Sequence, residues 1–226
     1  MHRTAIEEFG FTVMNGVLSD VDIRRLTEGL SQESLPRSRA GIRHALRSPS
    51  VRQIAHDARV IKIAEDILGG GAIPFRATLF DKSSDSNWLV VWHQDTALPL
   101  RRRSEAPDWG PWSVKKGVTY AHAPARALET VVALRIHLDD SSADNGPLRV
   151  LPNTHMLGCL SEAAIRELAS RVKPETCLVA RGGILAMRPL IVHASSKSTS
   201  DTSRRVLHIE YTSSLHLADR MELAIA

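Results

Sequence analysis

The sequence has few cysteines, no long apolar run and no internal repeat. Its two cysteines, Cys159 and Cys177, form no Cys-x-x-Cys pair and no disulfide framework. That suits a reducing, cytoplasmic setting. No apolar run reaches the ~18 residues a membrane helix needs, so no membrane role is expected. The first residues, Met1 to Glu8, lack a signal-peptide core, and the expectation is an intracellular soluble protein. The net charge of +4 is mildly basic and leans toward an anionic small molecule. No nucleic-acid fold signature accompanies it, so nucleic acid is not an expected partner. The 226 residues, 43% hydrophobic and 24% charged, fit one globular domain, with no linker to mark a second.

The pattern along the chain predicts helices first and strands later. Phe11 to Val17 reads as a short strand. Ser19 or Asp20 caps a helix to about Leu30, and residues 31–49 read as a loop. Ser50 caps a second helix, with an apolar stripe from Ile54 to Leu68 and a glycine stop at Gly69. Strands follow at 72–82 and 88–95, joined by the polar turn Ser83 to Asn87. Residues 96–129 read as a long loop, a feature that is usually functional or disordered. Further strands are predicted at 131–138, 148–151, 177–180, 184–187, 191–194 and 204–211, with a helix capped by Ser161. The expected fold is mainly β: one domain over 1–226, with helical cover at about 1–71 and a β core at about 72–214, a sandwich or barrel.

Two His-x-Asp motifs lie at strand ends, His93-Gln94-Asp95 and His137-Leu138-Asp139. Residues two apart on a strand share a face, so each motif sets an imidazole beside a carboxylate. Local geometry does not separate the two, and chance alone nearly supplies one such match. Three features favour His93 and Asp95. They sit where a strand opens into the long loop. His137 precedes an ordinary acidic turn. Starting from His93 also leaves more chain for the strands that must close a site with a late histidine. That histidine is His193, with Ser195 on the same face and Arg204 beyond a polar turn. Two histidines and one carboxylate on one face of a metal leave open positions, as in non-haem Fe(II) oxygenases. A guanidinium beside them can take a carboxylate through two parallel hydrogen bonds. Arg205 rivals Arg204, because adjacent strand residues face opposite ways and the pattern alone does not choose.

The set His93-x-Asp95, Gly146-Pro147-Leu148-x-Val150-x-Pro152-x-x-His155, Gly182-Gly183, His193-x-Ser195 and Arg204 resembles the phytanoyl-CoA dioxygenase family. The stretch Gly10 to Val17 resembles the family's N-terminus, so the likeness spans nearly the whole chain. The chain departs from the family at Pro152-Asn153-Thr154-His155 and at Gly182-Gly183, neither of which is a proposed ligand. The resemblance implies a double-stranded β-helix, jelly-roll or cupin-like, that works with Fe(II), 2-oxoglutarate and O2. It implies that His93, Asp95 and His193 hold iron and that Arg204 takes the distal carboxylate of 2-oxoglutarate, helped by Ser195. Family spacing also prefers Arg204 to Arg205. Asp95 speaks against halogenation, since related halogenases carry a small residue there.

Other residues are expected around this centre. Lys82, at the end of the strand before Trp88, is a candidate to reach a carboxylate of 2-oxoglutarate. Trp109 and Trp112 of the long loop, and Arg135 and His137 on one strand face, are candidates for the substrate pocket. The expected reaction oxidises a C–H bond of a small to medium organic molecule and releases succinate and CO2. The rival is a metal-binding β-sandwich without oxygenase activity, such as a cupin-like isomerase or a ligand-binding module.

Overall fold

A computed structural model describes residues 2–38, 41–83 and 86–226. It opens with α1 (His2–Phe9) and β1 (Phe11–Met14), then α2 (Asp20–Gln32). Ser19 caps α2 through a capping box: its hydroxyl accepts from the Asp22 N–H, and the Asp22 carboxylate accepts from the Ser19 N–H. Ile23, Leu26 and Leu30 bury one face of the helix.

Three sequence expectations need correction. Segment 31–49 is not simply a loop; it carries β2 (Arg37–Ser38), β3 (Gly41–Arg43) and a 3-10 turn, Ala45–Arg47. These strands are too short to show alternation, and β3 is defined by pairing with a later strand. The single helix expected from Ser50 is two, α3 (Pro49–Ala55) and α4 (Ala58–Leu68), capped by Ser48 and Asp57. Their apolar stripe runs through the break and hides it. Gly69, at φ 78°, closes α4 by donating its N–H to Glu65.

The strands follow: β4 (Ile73–Lys82), β5 (Val90–His93), β6 (Ala97–Leu100), β7 (Trp112–Lys115) and β8 (Val118–His122). Then come α5 (Ala125–Leu128), β9 (Val131–His137), β10 (Leu148–Val150) and α6 (Glu162–Arg171). The last strands are β11 (Glu175–Cys177), β12 (Ile184–Met187), β13 (His193–Ser195) and β14 (Arg204–Thr212). The third correction is the long loop, which holds β6, β7, β8 and α5 as a small sheet of its own. The expected turn from Ser83 to Asn87 lies partly outside the described residues, at 84 and 85.

Among the described residues, strands pair into a large sheet ordered β1-β12-β9-β14-β4-β3-β2, a second ordered β11-β10-β13-β5, and a third ordered β6-β8-β7. All pairings are antiparallel. The period of two divides the large sheet cleanly. Leu79, Leu134, Ile136, Leu207, Ile209 and Tyr211 pack under the N-terminal helices. Burying each such side chain stabilises the fold by about 1.5–3 kcal/mol. The Tyr211 hydroxyl also donates to Ala55 at 3.0 Å, tying β14 to α3. The opposite face turns Ala133, Leu185 and Met187 toward Leu148, Val150 and Ile191, filling one end of the space between the two larger sheets. The other end of that space is polar. The β core also runs past residue 214: the Ala226 N–H donates to Phe75, and Leu223 bridges Leu100. The architecture is a double-stranded β-helix of jelly-roll type with helical cover.

Candidate metal centre

Pairing of β13 with β5 sets His193 directly opposite His93, with ring centroids 4.3 Å apart. Each ring donates its Nδ1–H to a carbonyl two residues back, Val91 at 2.8 Å and Ile191 at 2.9 Å. That bond fixes the tautomer and turns both Nε2 lone pairs inward. Asp95 lies just beyond β5, where its N–H donates to Pro189 at 3.0 Å. Its two carboxylate oxygens stand 3.7 Å from His93 Nε2 and 3.5 Å from His193 Nε2. Gln94, between them, is buried and pinned away from the centre. Its amide donates to Gly158 and Leu190, and its carbonyl accepts from Leu160.

The electrostatics favour a cation. Burial pushes the Asp95 carboxyl up, but His193, His93 and His208 outweigh it and hold it well below the usual carboxylate range. Burial lowers His193 to about 4, leaving its Nε2 unprotonated at neutral pH. One ligand atom from each of His93, Asp95 and His193 lies within 4.8 Å of the others. Two imidazole nitrogens and one carboxylate with open positions fit ferrous iron.

A cavity of about 110 Å³ opens beside this triad, lined by Phe80, Trp88, Arg135, Leu148, Ser195 and Arg204 among others. Its floor is positively charged. Arg204 is buried; its Nε donates to Asn145 at 3.2 Å, while its Nη1 has no partner. Burial, then Arg135, pushes its pKa down to about 10. Lys82 stands directly across the β4–β14 ladder from Arg204. Like charges opposite one another on a ladder are destabilising unless an anion joins them. Lys82 donates to the Ser195 hydroxyl at 2.8 Å and the Ser196 carbonyl at 2.6 Å. Gly146 keeps this corner open: a Cβ there would lie 2.5 Å from the Ser196 carbonyl. A dicarboxylic 2-oxo acid fits the arrangement, one end at the triad and the other at the free guanidinium edge.

Burial, then Arg204 and Arg135, lowers Lys82 to about 8. Below that pH the lysine is charged and strengthens an anion site; above it the charge is lost. The KM for 2-oxoglutarate is therefore expected to rise as pH passes from 7 to 9. Lys82→Met is expected to start high and stay flat across that range. A wild-type KM constant over these pH values removes Lys82 from the site.

A second cavity, about 250 Å³, shares Phe80 and Asp95 with the first. Its walls include Arg76, Thr78, Tyr120 and His208. The structure thus brings His93, Asp95, His193, Ser195, Arg204 and Arg135 to one cavity, with Lys82 bonded to its edge. Arg205 turns the other way, onto Asp139 at 2.7 Å. The same contact occupies the carboxylate of the second His-x-Asp motif.

Three expected pocket residues sit elsewhere. His137 is buried between the sheets with neither ring nitrogen bonded, and lines neither cavity. Trp109 is packed against Leu98 and Leu128, its Nε1–H donating to Asp219 at 3.0 Å. Trp112 packs beside it under Arg103. Both tryptophans serve the small sheet's own core, because that segment is folded rather than a loop. Phe80, Tyr120, His208 and the Arg76–Glu210 pair were missed. A period-two signal was present: Arg76, Thr78, Phe80 and Lys82 alternate with core residues on β4, as Arg204, His208 and Glu210 do on β14.

A family model for phytanoyl-CoA dioxygenase matches residues 6–206. L-Proline trans-4-hydroxylase of Streptomyces griseoviridis is 26% identical over 89% of this chain and 82% of its own length. Among solved structures, AviO1 from Streptomyces viridochromogenes superposes with TM-score 0.68, at 20% identity and 93% coverage of both chains. EctD from S. alaskensis with 2-oxoglutarate and 5-hydroxyectoine gives 0.70, at 17% identity, 93% of this chain and 74% of that one. The epimerase SnoN with Fe3+ and alpha-ketoglutarate gives 0.70, at 18% identity, 95% of this chain and 83% of that one. With the family model spanning most of the chain, the protein belongs to the phytanoyl-CoA dioxygenase family, the Fe(II)- and 2-oxoglutarate-dependent oxygenases.

Proposed function

We propose that this protein hydroxylates, or otherwise oxidises, a C–H bond of a small to medium organic molecule with release of succinate and CO2. The observation that carries this reading is the unbonded Nη1 of buried Arg204 in the cavity that also holds the His93–Asp95–His193 triad. A buried cation without a partner is costly, and a carboxylate supplied with the co-substrate relieves that cost. The likeness to a proline hydroxylase agrees with a small-molecule substrate.

In this reading His93, Asp95 and His193 hold Fe(II), which with 2-oxoglutarate and O2 supplies the oxidising power. The chain's residues do the positioning. Arg204 takes the distal carboxylate through its free edge, and the Ser195 hydroxyl, held by Lys82, borders the same place. Phe80 and Leu148 keep the cavity apolar where water must be excluded. The larger cavity reaches the triad at Asp95 and receives the substrate. The two unpaired cysteines suit a reducing compartment and support a cytoplasmic setting.

The test is direct. Anaerobic protein given Fe(II) and 2-oxoglutarate is expected to develop a weak visible absorption band. Arg204→Ala is expected to raise the 2-oxoglutarate needed for that band by about 10²-fold, since truncating one partner of a buried charge pair costs about 2–5 kcal/mol. Arg205→Ala is expected to leave it unchanged. A protein that binds metal but shows no band favours the non-oxygenase alternative.

A further inference from the structure

The larger cavity contains an unbalanced set of charges. Three cations line it: Arg43, Arg76 and Lys115. Arg76 is matched, its guanidinium paired with the Glu210 carboxylate and donating to the Ala97 carbonyl. Asp95 is the only carboxylate among the described residues of the lining, and it belongs to the candidate metal triad. Arg43 and Lys115 therefore face the cavity with no carboxylate partner among the described residues.

The fold brings these two side chains together from distant segments. Arg43 ends β3, opposite Thr78 on β4, so it projects beside the row Arg76, Thr78 and Phe80. Lys115 ends β7 in the small sheet, its ammonium 5.1 Å from the centre of the Tyr120 ring. Tyr120 is itself held from behind by a 3.0 Å hydrogen bond with His44. The lysine's charge is disfavoured by burial and then by Arg43 and Arg76, so an anion between them removes a repulsion already present. Below the charged rim, Phe80, Ala97 and the Tyr120 ring offer apolar surface leading to Asp95.

Resting on the oxygenase reading above, we infer that this cavity selects a substrate of net negative charge, its carboxylate held by Arg43 and Lys115 and its apolar body laid toward the metal triad. The inference goes further than anionic character. Among the described residues no lining carboxylate is available to pair an ammonium group: Asp95 belongs to the triad, and Glu210, outside the lining, is already paired with Arg76. A zwitterionic amino acid, the substrate class named for the proline hydroxylase relative, brings one such group. It is expected to be a poorer ligand than the same skeleton with its nitrogen acylated or absent.

Matched benzoate and benzamide test the charge requirement. The protein is first saturated anaerobically with Fe(II) and 2-oxoglutarate. The visible band reports whether the oxygenase reading holds, and the Arg204 site is then filled before any probe is added. Calorimetric titration follows. Benzoate is expected to bind at least about 10-fold more tightly than benzamide, and the Arg43→Gln/Lys115→Gln double variant to erase that preference. Both side chains are exposed, so the double variant is expected to fold, which its thermal midpoint checks. Benzoate binding no tighter than benzamide, no benzoate binding, or a preference that survives in the folded double variant overturns the inference. A missing band with the benzoate preference intact overturns the oxygenase reading and leaves the anion site standing.

Discussion

Asp95→Ala is expected to reduce substrate-coupled succinate release by more than ~10²-fold while the protein stays folded. The estimate follows from position. Loss of a hydrogen-bond partner outside the ligands themselves already costs about 10–100-fold in affinity or activity at metal sites, and Asp95 is the sole carboxylate of the triad. Its two oxygens face both histidines, so no neighbouring side chain substitutes for it. Fe(II) affinity measured by titration is expected to fall in parallel, which separates lost metal from lost substrate. The control is Asp139→Ala. Its carboxylate is engaged by Arg205 at 2.7 and 2.8 Å, and metal affinity is expected to be unchanged. Full activity in the Asp95 variant, or equal loss in both, shows that the triad is not the metal site.

The second large effect concerns stability. Glu210 is nearly inaccessible and Arg76 mostly so, and they form a bidentate pair bridging β14 and β4. Glu210→Ala leaves the guanidinium buried without its counter-charge, which costs about 3–5 kcal/mol. For a domain of this size that is a drop of about 10 °C in the thermal midpoint. Replacing both residues with methionine removes charge and counter-charge together, and most of the loss is expected to return. The pH dependence has a definite sign. Burial raises the Glu210 carboxyl, but Arg76 and His208 outweigh it and hold it below its usual value of 4.5. Its contribution is therefore present above pH 4.5 and disappears as pH falls through the lower folded value. The gap between wild type and Glu210→Ala is expected to narrow in acid; a gap that widens there removes the ion pair as the cause.

Much of the centre was legible because its signals are local. His93-x-Asp95 lies at the end of a recognisable strand, and His193 precedes a polar turn leading to Arg204. The choice between Arg204 and Arg205 was not local. It depends on which face of β14 meets the helices, and both faces of that strand are buried. Residues 96–129 misled for a related reason. Their strands are short, two of them carry polar residues, and their core is closed by the distant residues Met221 and Leu223. Trp109 and Trp112 looked like pocket residues only while that partner was unseen. His137 misled because the alternation that places it inward does not say how near the triad it comes; it lies two residues beyond Arg135 on β9, opposite Val206, and lines neither cavity.

The position of the small sheet in the chain has a further consequence. It is inserted whole between β5, which ends in His93, and β9, and it contributes none of the triad and none of the residues around Arg204. It does contribute Ala97, Lys115, Tyr120 and His122 to the larger cavity. That part of the cavity wall and the candidate triad are thus carried by separate lengths of chain, and the small sheet is tied to the larger one by contacts such as Arg76 to the Ala97 carbonyl and Tyr120 to His44. A change of wall need not disturb the centre. The division makes this part of the wall a module: substitutions within 97–122 are expected to change which molecule the cavity admits without replacing a residue of the triad.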